Sequence, residues 1–249
     1  MLEVLWVLSA CYLLLFWIAY KIQDNSIVDV FWWAGFLIVS ATLLLQNSIF
    51  WLAQILTFVL ILTWSLRIII SIWSKKLQTK QEDKRYAVWR KKWKFFYTRS
   101  FFQVYLLQMV LLILVATPLF IIFSSQTSNQ AAVSIVWWII AWVGLIYESI
   151  ADYQLKKYLS NAPAKNTIFS EWLWQYSRHP NYLWESVFWL WISIISLQYS
   201  LWWIIWFLLI TALLLFVSGV PPKEKRYKTK SNWKTYKKTP LFIPNFFIK

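Results

Sequence analysis

The chain has 249 residues, of which 60% are apolar and only 14% are charged, and its formal net charge is +15. Disordered chains are poor in aromatic residues and soluble domains carry more charge, so this composition excludes both classes. A disulfide-rich scaffold is excluded because Cys11 is the only cysteine. The sequence therefore predicts an all-α integral membrane protein, with one membrane domain over residues 1–249.

About seven apolar stretches have roughly the 20 residues that an α-helix needs to cross a membrane. They are residues 2–20, 27–45, 48–70, 103–123, 132–151, 183–198 and 201–218. The last two are short and almost contiguous, so they form either one broken hairpin or two tilted helices. We do not expect the first stretch to be a signal peptide, because it contains Glu3 and no positively charged region precedes its apolar run.

Basic residues fall on one side of this arrangement. The segments on that side carry 24 of the 25 Lys and Arg, and the exception is Arg67 inside the third span. Because loops rich in Lys and Arg stay in the cytoplasm, we predict an outside N-terminus and a cytoplasmic C-terminus. The net charge then reflects topology and contact with anionic lipids, and it does not indicate a nucleic-acid partner.

Two basic segments lie outside the predicted spans. In residues 75–99, aromatic side chains recur at helical spacing between Lys and Arg, which is typical of a helix lying in the membrane interface. Residues 219–249 form a basic cytoplasmic tail. We see no repeats and no second soluble domain.

Several ionisable residues lie at the cytoplasmic ends of the predicted spans, where charge is costly and indicates function. They are Asp29, Arg67, Glu148, Asp152 and Glu185. Together they predict a polar pocket that opens to the cytoplasm. The alternative is that Asp29, Arg67 and Asp152 are ion-pair partners that only fix helix packing.

The most informative stretch is Tyr-Ser-Arg-His-Pro-Asn-Tyr at residues 176–182, which contains the only His of the chain. Pro180 suits the first position of a helix, and a helix N-terminus offers free N–H groups to a phosphate. Arg178 adds a fork of donors for a second phosphate contact. The alternative is a plain interfacial helix start. No metal site is predicted, because one His and one Cys are too few ligands.

At these residues the chain resembles bacterial membrane proteins of uncharacterised activity. They are related to the C-terminal domain of steroid 5-alpha-reductases and, more distantly, to isoprenylcysteine carboxyl methyltransferases. The resemblance runs through most of the chain, and YSRHPNY is its specific motif. The matching stretches are SIVDVFW at 26–32, WSLR at 64–67, QVYLLQ at 103–108, ESIAD at 148–152, YSRHPNY at 176–182, SGVP at 218–221, Tyr236 and Ile243-Pro244.

The resemblance implies a bacterial inner-membrane enzyme with NADPH at its cytoplasmic face. Such an enzyme reduces an activated carbon–carbon double bond in a lipophilic, steroid- or isoprenoid-like substrate. The implied cofactor contacts are Asp152, Tyr176, Arg178, His179, Asn181, Tyr182 and Glu185, with Arg226 and Tyr227 as closing contacts. The catalytic proton donor is sought among Asp29, Glu148 and Tyr105, and a carboxylic acid needs burial to stay protonated near neutral pH.

Two other functions stay open from the sequence. One is an S-adenosylmethionine-dependent methyltransferase of a lipid or prenyl thiol, which shares RHPxY but usually has a Glu-Glu pair near the C-terminus. Here Lys223-Glu224-Lys225 offers a single Glu. The other is a non-catalytic lipid-binding membrane protein. The partners expected are membrane lipids and a lipophilic small molecule.

The chain has 21 Trp and only 3 Gly, whereas ordinary usage of roughly 7% would give about 17 Gly. Where the resembling proteins usually have Gly, this chain has Trp33, Trp172, Trp184 and Trp191. Gly allows close backbone approach and positive φ, and Trp is a poor replacement. We therefore hypothesise an alternative genetic code, in which UGA codons at these positions specify Gly. The alternative is a genuine aromatic-rich protein with interfacial Trp belts.

Overall fold

A computed structural model describes residues 2–47, 51–79, 81–124, 131–161, 166–197 and 204–242. Within these ranges every regular element is helical, which confirms the predicted all-α class. The chain folds as two compact units, Met1–Ala132 and Val133–Lys249, called here unit 1 and unit 2.

Unit 1 is built from long apolar helices followed by shorter ones. Its helices are α1 Leu2–Ile22, α2 Ile27–Leu45, α3 Leu52–Thr79, α4 Lys84–Lys92, α5 Phe96–Ser100, a π-helical turn Phe101–Leu106, α6 Leu107–Val115 and α7 Thr117–Ser124. Helix α2 packs against both α1 and α3. The Trp64 ring, which is fully buried, meets the rings of Trp33 and Phe36 edge to face, with centroid distances of 5.1 and 5.7 Å.

Unit 2 contains the YSRHPNY motif. Its elements are α8 Ala131–Ser160, a 3₁₀ turn Trp172–Gln175, α9 Pro180–Leu197, α10 Ile204–Ala212, a π-helical turn Leu213–Ser218, α11 Val220–Tyr227 and α12 Trp233–Tyr236. Helix α9 packs against α10. Gly219 joins the π-helical turn to α11, and a β-carbon there would lie 2.6 Å from the Leu214 carbonyl oxygen and 3.1 Å from the Tyr182 ring. The missing side chain therefore lets this junction approach the motif.

Five helical segments among the described residues are long and apolar enough to cross a membrane. They are Leu2–Ile22, Ile27–Leu45, Leu52–Ser74, Phe96–Val115 and Ile204–Tyr227. Helix α8 covers the predicted span 132–151, and α9 covers residues 183–197 of the predicted span 183–198, but neither helix is among these five. The described part of the chain is therefore helical with five candidate membrane-spanning segments, and the count of seven, like the orientation, stays a prediction.

The predicted span 103–123 is divided in the structure. The helix starts earlier, at Phe96, and α6 ends at Val115, after which α7 begins at Thr117. Pro118 lies in the first turn of α7, where its missing N–H costs no helical hydrogen bond. Because Pro118 has no N–H, it cannot donate a helical hydrogen bond to a carbonyl of α6, so α6 does not continue into α7.

The predicted interfacial segment 75–99 is also divided. Residues 75–79 continue α3 beyond its apolar part, and only α4 forms a separate helix before Phe96 begins the next one. Asp83 caps α4, because its carboxylate accepts a hydrogen bond from the Arg85 N–H at 2.9 Å. Of the aromatic residues at helical spacing, Tyr86 and Trp89 lie on α4, and the interfacial position of the segment stays a prediction.

Candidate functional site

The YSRHPNY motif links the 3₁₀ turn to α9. Helix α9 begins at Pro180, as predicted, and the Leu183 N–H donates to the His179 carbonyl at 3.0 Å. The 3₁₀ turn is anchored on α8, because the buried Trp174 indole donates to the Ala151 carbonyl at 3.1 Å. The motif is therefore held between α8 and the start of α9.

The segment after the last span folds back onto this motif. The Arg178 N–H donates to the Pro240 carbonyl at 2.9 Å, and the Ser177 hydroxyl donates to the Leu241 carbonyl at 3.3 Å. The Tyr236 hydroxyl donates to the Arg178 carbonyl at 3.4 Å, and burial raises the pKa of Tyr236, which keeps this donor protonated. The described part of the predicted basic tail, residues 219–242, is thus a structural part of the site.

Arg178 is paired with a carboxylate of that same segment. Its Nη1 atom forms an ion pair with Glu224 Oε1, and its guanidinium lies 5.7 Å from the ring centroid of Trp233. Its Nε atom is buried and has no hydrogen-bond partner among the described residues. We predicted a phosphate contact for Arg178. Glu224 was not predicted as its partner, because an ion pair across 46 positions leaves no local pattern in the sequence.

His179 is fully buried between two aromatic rings. The Tyr182 ring lies nearly parallel to it at 5.7 Å, and the Tyr227 ring lies nearly parallel at 6.2 Å. Burial, together with the cations Lys223 and Arg178, lowers the pKa of His179 to about 3. The imidazole is therefore neutral at physiological pH, and its 3.6 Å contact with Glu224 is not an ion pair.

The two predicted closing contacts differ in position. Tyr227 reaches the motif through its ring contact with His179. Arg226 is exposed, and its Nε atom donates to the Pro222 carbonyl at 3.4 Å. Lys223 was not foreseen, and its ammonium group lies 4.1 Å from the ring centroid of Tyr182. Lys223 and Tyr227 of α11 thus both contact the stacked rings of the motif, His179 and Tyr182.

Three carboxylates of unit 2 were predicted to share one region. Glu148 and Glu185 are buried, at 3% and 4% exposure, although neither is a typical core residue. Asp152 is half-buried and lies one turn from Glu148 on the same side of α8. Both Asp152 and Glu185 act electrostatically on the Tyr182 hydroxyl. The structure therefore brings Asp152 and Glu185 to the start of α9, and Glu148 lies one turn before Asp152 on α8. Tyr176, also half-buried, interacts with Tyr147 of α8.

Trp184 lies directly beside this region. Its ring packs on Tyr147 with a centroid distance of 4.6 Å, and a β-carbon on Gly144 would lie 3.1 Å from it. The glycine of α8 thus accommodates an indole projecting from α9. Trp172, which begins the 3₁₀ turn before the motif, has a φ of 56°, in the left-handed region that favours glycine.

The candidate proton donors of unit 1 have polar partners of their own. Asp29 accepts hydrogen bonds from Arg85 Nη2 at 2.7 Å and from the Tyr86 hydroxyl at 2.8 Å. This is the ion pair considered as the alternative interpretation of Asp29. The buried Tyr105 hydroxyl donates to Asn25 Oδ1 at 3.4 Å. A pocket that joins these residues to the acids of unit 2 stays a prediction.

Comparison with known proteins gives one family. No curated protein matches the chain, and no solved structure matches it. A family described as "protein of unknown function (DUF1295)" matches residues 15–240, which include the YSRHPNY motif. The chain therefore belongs to the DUF1295 family, whose function is not known.

Proposed function

We propose that the protein is a membrane-embedded, NADPH-dependent reductase of an activated carbon–carbon double bond in a lipophilic substrate. The specific chemistry comes from the resemblance to the steroid 5-alpha-reductase C-terminal domain. The observation that carries the proposal is a group of buried polar atoms without partners at the start of α9.

These atoms are side-chain groups of the motif itself. Arg178 Nε, both ring nitrogens of His179 and Asn181 Oδ1 are buried and have no hydrogen-bond partner among the described residues. Buried polar groups in native proteins are nearly always hydrogen-bonded. A ligand that carries both donors and acceptors would satisfy them, which fits a dinucleotide better than a purely apolar lipid.

The surrounding groups fit the parts of a nicotinamide dinucleotide. In the first turn of α9, Pro180 has no N–H and the Leu183 N–H is bonded to the His179 carbonyl, which leaves the N–H groups of Asn181 and Tyr182 for a phosphate, with Arg178 beside them. The carboxylates of Asp152 and Glu185 suit ribose hydroxyls, and the amide of Asn181 suits a carboxamide. A bound phosphate must then either share the Arg178 guanidinium with Glu224 or displace the Glu224 carboxylate from it.

Bound NADPH would supply the reducing electrons, while the protein orients the substrate, excludes water and provides a proton. We favour Glu148 as the proton source among the three candidates, because it is buried in the same unit as the motif. Asp29 is already engaged with Arg85 and Tyr86 in unit 1.

The proposal places the motif at the cytoplasmic face of a bacterial inner membrane, in a seven-span protein with its N-terminus outside. The one-sided distribution of Lys and Arg supports this orientation. NADPH is a cytoplasmic cofactor, so the orientation and the cofactor agree with each other.

Cofactor binding by the purified protein in nanodiscs tests the proposal. NADPH should quench Trp emission, and Asn181→Ala should weaken binding about tenfold, because one hydrogen bond to a charged or polar ligand is worth about 1.4 kcal/mol. Exposed Glu171→Gln is the matched control and should bind normally. Binding of S-adenosylmethionine without any NADPH effect would favour the methyltransferase, and binding of neither would favour a non-catalytic lipid-binding protein.

A further inference from the structure

Helix α4 lies between two membrane-spanning candidates of unit 1. The apolar part of α3 ends at Ser74, and the next candidate span begins at Phe96. Consecutive spans end and begin at the same membrane face, so the intervening residues stay close to the headgroups of that leaflet.

One side of α4 is fixed to unit 1. Tyr86 is 2% exposed and bonds to Asp29, to which Arg85 is also paired. Arg90 pairs with Glu82 at 2.9 Å. These two arginines therefore have acidic partners and are not available to a ligand.

Exposed cations with no acidic partner in the described part of the chain lie on α4 and in residues 93–99 that follow it. Lys84, Lys91, Lys92, Lys94 and Arg99 are exposed and form no ion pair among the described residues. The nearest acid in sequence, Asp83, is paired with Arg85. Phe95 lies within this group with 65% of its surface exposed. We call these five cations and Phe95 the α4 patch.

We propose that the α4 patch is a binding surface for the headgroups of anionic phospholipids. Positive charge complements the phosphate groups, and each Lys or Arg near an anionic surface strengthens binding about fivefold. An exposed aromatic ring between cations suits the boundary between headgroups and acyl chains. The surface lies in unit 1 and does not depend on the cofactor proposed for unit 2.

A local fluorescent reporter tests this surface. Because Cys11 is the only cysteine, a Cys11→Ala, Thr98→Cys protein can be labelled beside the patch with an environment-sensitive dye. Nanodiscs of phosphatidylcholine with increasing phosphatidylglycerol should shift its emission. In the triple variant Lys91→Gln, Lys92→Gln and Lys94→Gln, the phosphatidylglycerol fraction that gives half of the full emission shift should be at least about fivefold higher.

The matched control changes three exposed lysines of unit 2, Lys156→Gln, Lys157→Gln and Lys228→Gln, and removes the same charge. It should move the midpoint less than about twofold. An equal effect of both triple variants would overturn the proposal, since net charge alone would then explain the response. An emission shift with inorganic phosphate in pure phosphatidylcholine would overturn it too, because the ligand would then be soluble.

Discussion

Trp172→Gly should stabilise the protein, although it removes the largest side chain. Trp172 has a φ of 56°, and a residue with a β-carbon pays about 1–2 kcal/mol in this left-handed region. Glycine pays no such strain, but it loses about 0.5–1 kcal/mol more in chain entropy on folding. The Trp172 side chain is 69% exposed, so its removal costs little buried apolar surface.

The difference between these terms is a gain of about 0.5–1 kcal/mol. For a chain of this length, that corresponds to a rise of about 1–4 °C in the thermal unfolding midpoint. Intrinsic Trp fluorescence during a thermal ramp in one detergent measures it. Trp172→Ala is the decisive control, because alanine also removes the indole but keeps the β-carbon.

Equal gains for Trp172→Gly and Trp172→Ala would refute the reasoning, since loss of an exposed indole would then explain them. Trp174→Gly should instead lower the midpoint, because Trp174 is fully buried and its indole bonds to α8. The genomic codon gives an independent check of the same position. UGA at residue 172 would agree with a glycine requirement, and UGG would contradict the alternative-code hypothesis there.

Three further predictions concern the motif. Burial holds the pKa of His179 near 3, so below about pH 6.5 the unfolded chain binds a proton that the folded protein does not. The free energy of unfolding should therefore fall by about 2 kcal/mol on going from pH 7 to pH 5. Melting curves recorded over this pH range should show a weaker dependence for His179→Gln. Gly219→Ala should cost about 1–3 kcal/mol, because the new methyl group meets the Leu214 carbonyl and the Tyr182 ring, and an unchanged melting point would contradict that packing. Glu224→Gln should cost about 1–3 kcal/mol by leaving the half-buried Arg178 without its carboxylate, and a double-mutant cycle with Arg178→Gln should show that the two losses are not additive.

The sequence predicted the helices of unit 1 well where polar residues interrupt apolar runs. Helix α2 spans the residues predicted for it, and α1 extends only two residues beyond its predicted end. The turn between them contains Asp24 and Asn25, which bond to Lys76 and Ser100 on other elements. A local break in hydropathy therefore coincided with a tertiary contact.

Other features had no local signal. Residues 103–123 are apolar almost throughout, so polarity gave no sign of the division near Pro118. Only the missing backbone N–H of this proline could have predicted it. The start of α9 at Pro180 was predictable from residue type alone. The Glu224 partner of Arg178 was not, since a pairing between distant segments is decided by the fold.

The return of residues 240–241 to the motif has a consequence for biogenesis. Ser177 and its acceptor Leu241 are 64 positions apart, and the whole candidate span Ile204–Tyr227 lies between them. During synthesis, that apolar helix leaves the ribosome before the residues that complete the site. The motif therefore cannot be completed before residues 240–241 have also emerged, and a chain truncated before residue 240 would lack the carbonyl acceptors of the Arg178 N–H and the Ser177 hydroxyl.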